Sequence, residues 1–440
     1  MNNKKWMAIL LGGIMAASLA APCSVSAAEK TTLTFWHAMG GTNGEVLQQI
    51  VDDFNASQDE IEVKAEYQGT YDDTITKLKA AMQSDSGLPD VCQMYDVGTK
   101  FMYDSGAVIP VEDKFESTGY DKSSVMEVIS SYYTVDGKQY AMPFNVSTPM
   151  LYYNKDVFEA AGLDPETPPT TYDEVLEDAK KIVESGAAPV GYSQAIYGWF
   201  FEQQLAGLGV TYGNNDNGRK EAVTAVDFDS NGGGLKVFDM WKKLYDSGCF
   251  EDYGTTTADT QTAFFSGQVG MIIESTAILK NAVDSSPFEV GTGYLPRIEQ
   301  NDEGGVIIGG GSLWLTDTGN EANEDAAWKF IEYITTPDVQ AKWSMGTGYF
   351  AINEKAYETD DMKAYLKENP NFETAINQLK DSPVNCNTAG VLSGVQTEAR
   401  LTFNEIMPQV YDGKLTTQDA VDQLAASVNK AIENYNESIK

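Results

Sequence analysis

The alternation between residues 32 and 94 limits this chain more than any other feature. Thr32 to Trp36 (TLTFW) has the β-branched and aromatic bias of a buried strand. Val46, Leu47, Ile50, Val51 and Phe54 then recur at helical spacing, followed by a strand over Ile61, Val63 and Ala65. A second helical stripe runs from Tyr71 to Ser84 through Ile75, Leu78, Ala81 and Met82, and Leu88 to Met94 (LPDVCQM) reads as a third strand. Strand, helix, strand, helix, strand is the pattern of a parallel sheet with helices on its faces.

The alternation restarts at Tyr152, with helices expected at 171–185 and 233–246. A chain of 440 residues exceeds what one core supports. The expected fold is therefore α/β with two lobes, each a mainly parallel sheet with flanking helices. Residues 28–147 with 277–330 are assigned to lobe 1, and 148–276 with 331–440 to lobe 2. The runs VGMIIEST (269–276) and GGVIIGGGSLWL (304–315) read as strands passing back through the first lobe. Ligands of open parallel sheets sit beyond the carboxyl ends of strands, so the cleft between the lobes is the expected site. Asn145, Ser147 and Thr148, polar and just ahead of a buried strand, are expected to face it.

Residues 1–27 read as a signal peptide: Lys4 and Lys5, an apolar run to Ala21, then Val25-Ser26-Ala27 for cleavage. The protein is expected to be exported to a periplasm or the outer face of the cytoplasmic membrane. A lipid anchor at Cys23 is the rival, weakened by Pro22 where a small residue should stand. The net charge of −35 makes nucleic acid and anionic membrane poor partners. It does not exclude a small anion, because screening leaves a ligand in a cleft to feel mainly its nearest groups. Cys92, Cys249 and Cys386 are too few and too scattered for a disulfide framework.

His37 is the single histidine, which removes histidine triads and clustered zinc sites. No phosphate loop or dinucleotide fingerprint follows a strand, and GGGS at 309–312 is too short for either. Paired carboxylates of a glycosidase are possible, but acids are plentiful. Arginine is scarce: Arg219 and Arg297 read as surface, whereas Arg400 lies where a helix should be packed. A guanidinium there needs a carboxylate or a ligand anion as partner. Ser275 and Thr276 stand at an expected helix start that could cap the helix or hold an anion, and the glycines of IIGGGSLW permit close backbone approach.

LTFWHAMGG (33–41), EYQGTYDD (66–73), QMYDVGTKFM (93–102), the long block PFNVSTPMLYYNKDVFEAAGLDPETPPTTYDE (143–174), IIGGGSLWL (307–315) and GTGYFAINEKAY (346–357) together resemble the extracellular solute-binding proteins of ATP-driven sugar importers. Within that family the likeness is to members that bind glycerol phosphate. The resemblance implies no enzyme and no cofactor or metal. It implies a monomer that closes on a small ligand, glycerol phosphate or a related ester, and delivers it to transmembrane permease subunits. Carried over by motif, the ligand-binding positions are Tyr71, Asp96, Ser147, Trp199 on a looser alignment, Ser275, Gly309 or Gly310, Tyr349 and Arg400, the last pairing with phosphate. Asp96 replaces the family's glutamate, and Glu274 stands where a small residue is usual. The alternatives are an oligosaccharide-binding protein of a sugar importer, in which Arg400 pairs with a protein carboxylate, and a secreted glycoside hydrolase.

Overall fold

The computed structural model describes residues 30–84 and 87–439. The signal-peptide and Cys23 readings lie outside the described residues. Two sheets carry the molecule. The first has the order Ile61–Tyr67, Thr31–His37, Val91–Tyr95, Gly309–Thr316, Val108–Ile109, and Met142–Ser147 also pairs with Gly309–Thr316. Its first three strands are parallel, as the opening alternation requires, and the helix Gly41–Ser57 buries Leu47, Ile50, Val51 and Phe54 beside them. The late strand Gly309–Thr316 runs antiparallel to all three of its neighbours.

The second sheet has the order Val290–Gly293, Pro149–Asn154, Val269–Ser275, Val190–Ser193. Only its last pair is parallel. The lobes are α/β, but their sheets are mixed rather than mainly parallel, because strands that arrive from the other lobe enter in the opposite direction. Val269–Ser275 lies inside the second sheet and is not a passage through the first, unlike Gly309–Thr316.

The expected boundaries also move. Residue 330 falls inside the helix Glu321–Ile334, whose Phe330 ring meets Phe35 and Phe54 of the first lobe at 5.5 and 5.2 Å. The following helix, Pro337–Thr347, packs on Gly41–Ser57. Conversely, Val290–Gly293, expected in lobe 1, is an edge of the second sheet. Burying these aromatic faces decides where the helices go, and the first sheet offers the apolar surface they need.

The second lobe's core is finished by the C-terminal helices Gln396–Tyr411 and Thr417–Ser438, which pack on each other and on helix Gly233–Tyr245. His37 is buried and accepts a hydrogen bond from the Met39 N–H at 3.3 Å, a structural part. Cys92, Cys249 and Cys386 carry free thiols.

Candidate functional site

The chain passes from the first sheet to the second at Ser147-Thr148-Pro149. Thr148 is locked there: its N–H donates to the Thr276 hydroxyl (3.1 Å), its carbonyl accepts from the Thr276 N–H (2.8 Å), and its hydroxyl accepts from Gln378 Nε2 (3.2 Å). Asn145 is also satisfied internally, accepting from Gln93 Nε2 at 2.7 Å and donating to the Tyr71 hydroxyl at 2.6 Å. The expectation that all three polar residues face the cleft therefore fails for Thr148. Asn145 reaches the cleft only by orienting Tyr71. Among the described residues, the Ser147 hydroxyl has no hydrogen-bond partner.

Arg400 rises from the helix Gln396–Tyr411, whose Ala399, Phe403, Ile406, Met407 and Val410 form the buried side. The helix Gly198–Gly207 lies against it, and Gly198 makes that approach possible, since a Cβ there would stand 2.5 Å from Arg400 Cα. One helical turn on, Glu202 receives Arg400 in a fork: Nε donates to Oε1 at 2.8 Å and Nη2 to Oε2 at 2.7 Å. Gln396 Nε2 donates to the same Oε1 at 2.8 Å. From the opposite lobe, Asp96 Oδ2 accepts from Arg400 Nη2 at 2.7 Å. All three charged groups are nearly excluded from solvent.

Such a cluster survives burial only because each charge has a partner. Burial alone would lower the Arg400 pKa, but the charges of Asp96 and Glu202 more than offset it and hold the guanidinium well above its ordinary value. Burial pushes the Glu202 carboxyl up, and Arg400 pulls it back. Both carboxylates are spent on one guanidinium, which is not the arrangement of two carboxyl groups flanking a glycosidic bond.

Aromatic rings surround the cluster. Tyr71 and Tyr95 stack at 5.1 Å, and the Tyr95 hydroxyl meets Thr397 of the second lobe at 2.7 Å. Tyr349 is buried near Tyr71 and Asn145, which act against the burial that raises its phenol. Trp199 lies over Gly309, where any Cβ would stand 2.6 Å from the indole, and its Nε1–H is buried with no partner among the described residues. Gly309 is the ladder partner of Ser147. Gly310 has φ +95°, and a Cβ there would lie 1.8 Å from the Asn145 carbonyl, so glycine is obligatory.

Tyr71, Asp96, Ser147, Trp199, Gly309, Gly310, Tyr349 and Arg400 are thus brought to one interlobe region. Ser275 differs: its hydroxyl accepts from the Ala277 N–H (3.2 Å), an ordinary helix cap at the hinge. Glu274 beside it is buried and bonded to Gln261 and the Ser275 N–H. Arg219, read as surface, is a correction: it donates to the carbonyls of Gly390, Ala389 and, across the lobes, Tyr132. Glu202, Tyr95 and Thr397 were missed. Among the described residues there is no group of side chains arranged to hold a metal, and no helix is long and apolar enough to cross a membrane.

Residues 49–374 match the family described as bacterial extracellular solute-binding protein. The chain is 30% identical over 417 residues to the sn-glycerol-3-phosphate-binding periplasmic protein UgpB of Escherichia coli K12, covering 93% of this chain and 94% of that protein. Among solved structures, UgpB from Mycobacterium tuberculosis in complex with glycerophosphocholine superposes with a TM-score of 0.79 at 20% identity, covering 93% of this chain and 100% of that one. The cyclic α-maltosyl-1,6-maltose binding protein from Arthrobacter globiformis superposes with a TM-score of 0.76 at 26% identity, covering 92% and 100%.

Proposed function

We propose that this chain, which belongs to the bacterial extracellular solute-binding proteins and is the solute-binding component of an ABC importer, captures a glycerol phosphate ester, either sn-glycerol 3-phosphate or a glycerophosphodiester. The observation that carries this reading is the contact of Arg400 Nη2 with Asp96 from the facing lobe. A cation on one lobe and an acceptor on the other mark where a ligand carrying both an anion and hydroxyls would join them. Ester oxygens take the guanidinium, and glycerol hydroxyls donate to the displaced Asp96 carboxylate. The unpartnered hydroxyl of Ser147 and the indole N–H of Trp199 are further donors, while the Trp199 face and the Tyr71 ring cover the carbon skeleton. A ligand that touches both lobes shifts the hinge toward closure. The 30% identity to a glycerol-phosphate-binding protein supports the same ligand. Export to a periplasm or the outer face of the cytoplasmic membrane, with delivery to permease subunits, completes this role.

One observation favours a second reading, a neutral oligosaccharide: Arg400 Nε and Nη2 are already taken by carboxylates. Calorimetry with sn-glycerol 3-phosphate, glycerophosphocholine, maltose and inorganic phosphate separates the two. Binding of a phosphate ester without maltose is expected. Tight maltose binding with neither ester bound would overturn the ester reading.

A further inference from the structure

Glu202 sits in the same lobe as Arg400, so its grip on the guanidinium does not depend on lobe closure. The fork uses Nε and Nη2 together, and the carboxylate is further held by Gln396. Asp96, from the facing lobe, is the partner that leaves when the lobes part. The two carboxylates therefore differ in role. One is exchanged for ligand, and the other remains under the ligand's anion.

The charge count decides what that means. Asp96, Glu202 and Arg400 together carry one net negative charge, and Gln396, among the described residues the other side chain hydrogen-bonded to their charged groups, is neutral, while Asp72, which accepts from the Tyr95 hydroxyl at 3.0 Å, adds a further negative charge nearby. The nearby phenols of Tyr197 and Tyr132 are buried with pKa values raised by burial, so they stay neutral. A glycerol monoester brings up to two further negative charges at neutral pH. A phosphodiester brings one, and a diester with a cationic headgroup brings none in sum. In a desolvated cleft each unit of uncompensated charge is costly.

We propose that Glu202 is a specificity-determining residue: by neutralising Arg400 within its own lobe, it makes the cleft select glycerol phosphate esters of low net charge, zwitterionic diesters above all, over the doubly charged monoester. This rests on the ester reading above and narrows it. The aromatic rings of Tyr71, Tyr95 and Trp199 fit the choice, since ring faces attract a quaternary ammonium.

The test compares wild type, Glu202→Gln and Glu202→Asp by calorimetry with glycerophosphocholine, sn-glycerol 3-phosphate and maltose. Wild type is expected to bind the zwitterion at least about tenfold more tightly than the monoester, and Glu202→Gln to move that ratio toward the monoester by about tenfold or more. Glu202→Asp keeps the charge and should keep the wild-type order. Both esters bound with a ratio that Glu202→Gln leaves in place would overturn the role of Glu202 alone. Wild type that binds only maltose would overturn the ester reading, and gain of ester binding by Glu202→Gln would then still uphold the charge filter, whereas no gain would end both. Should Glu202→Gln not fold, the wild-type order decides: a preference for the monoester refutes the proposal.

Discussion

Replacing Arg400 with alanine should damage the fold as well as the binding. The change removes all three hydrogen bonds that Arg400 Nε and Nη2 make to Glu202 and Asp96. Glu202 is left 5% exposed inside the second lobe without its counter-charge. Asp96 faces the cleft and can rehydrate as the lobes part, so the cost falls mainly on Glu202. Breaking a buried pair in this way costs about 3–5 kcal/mol. With a urea slope of about 3 kcal/mol/M, the midpoint of the transition reporting the second lobe should fall by roughly 1–1.7 M. The double variant Arg400→Met with Glu202→Leu removes both charges and refills the space, and should recover most of the loss. The deficit of the single variant should also depend on pH. Burial raises the Glu202 carboxyl, and without Arg400 only the hydrogen bond from Gln396 pulls it back. A carboxyl raised in the folded state binds more protons there than in the unfolded chain. Its stabilising contribution is complete below the unfolded value near ~4.3 and disappears as pH rises through the folded value. The deficit should therefore shrink between pH 7.5 and pH 5. Urea melts at the two pH values, read by tryptophan fluorescence, check both points. A single variant as stable as wild type, or a double variant no better than the single, would refute the reasoning.

Tyr435 on the last helix donates to Asp104 of the first lobe at 2.7 Å, a bond between the lobes that uses none of the proposed ligand-binding residues. Tyr435→Phe should weaken ligand affinity by about 3- to 10-fold by loosening closure, in line with ~1 kcal/mol for such a bond; calorimetry with small-angle scattering would expose an unchanged affinity. Gly310→Ala should cost at least about 3 kcal/mol, since the new methyl meets the Asn145 carbonyl at positive φ, whereas Gly319→Ala, at φ +69° in open space, should cost only about 1–2 kcal/mol. Thermal melts of the two variants compare them directly. His37, the single histidine, is pushed by burial down to about 4. Its ring should titrate near that value by NMR, and its contribution to stability should be present above pH ~6.5 and lost as pH falls through 4; a midpoint near ~6.5 would mean the ring is solvated.

Arg400 was legible because a guanidinium at a packed helical position demands an anion, whatever its identity. Glu202 was not, for a reason that lies in its helix: from Gly198 to Ala206 every residue is buried, so GWFFEQQLA has no polar face against which one carboxylate could stand out. Arg219 was misread because its acceptors are main-chain carbonyls of residues 132, 389 and 390, which have no side-chain signature. The first three strands were legible from local alternation. Val290–Gly293 was not, since the stretch VGTG is short and half glycine, and its pairing with Pro149–Asn154 is imposed by a strand more than a hundred residues earlier. The same distinction orders the proposed site. Asp96, Ser147, Gly309, Gly310 and Tyr349, proposed to meet a ligand, lie at strand ends and glycine turns with recognisable local chemistry, whereas Glu202, proposed to set the charge they work with, is defined only by what folds against it. Two chains with the same ligand-facing motifs can therefore differ in the charge of the solute they accept, and the difference sits one layer behind those motifs, on the Gly198–Gly207 helix.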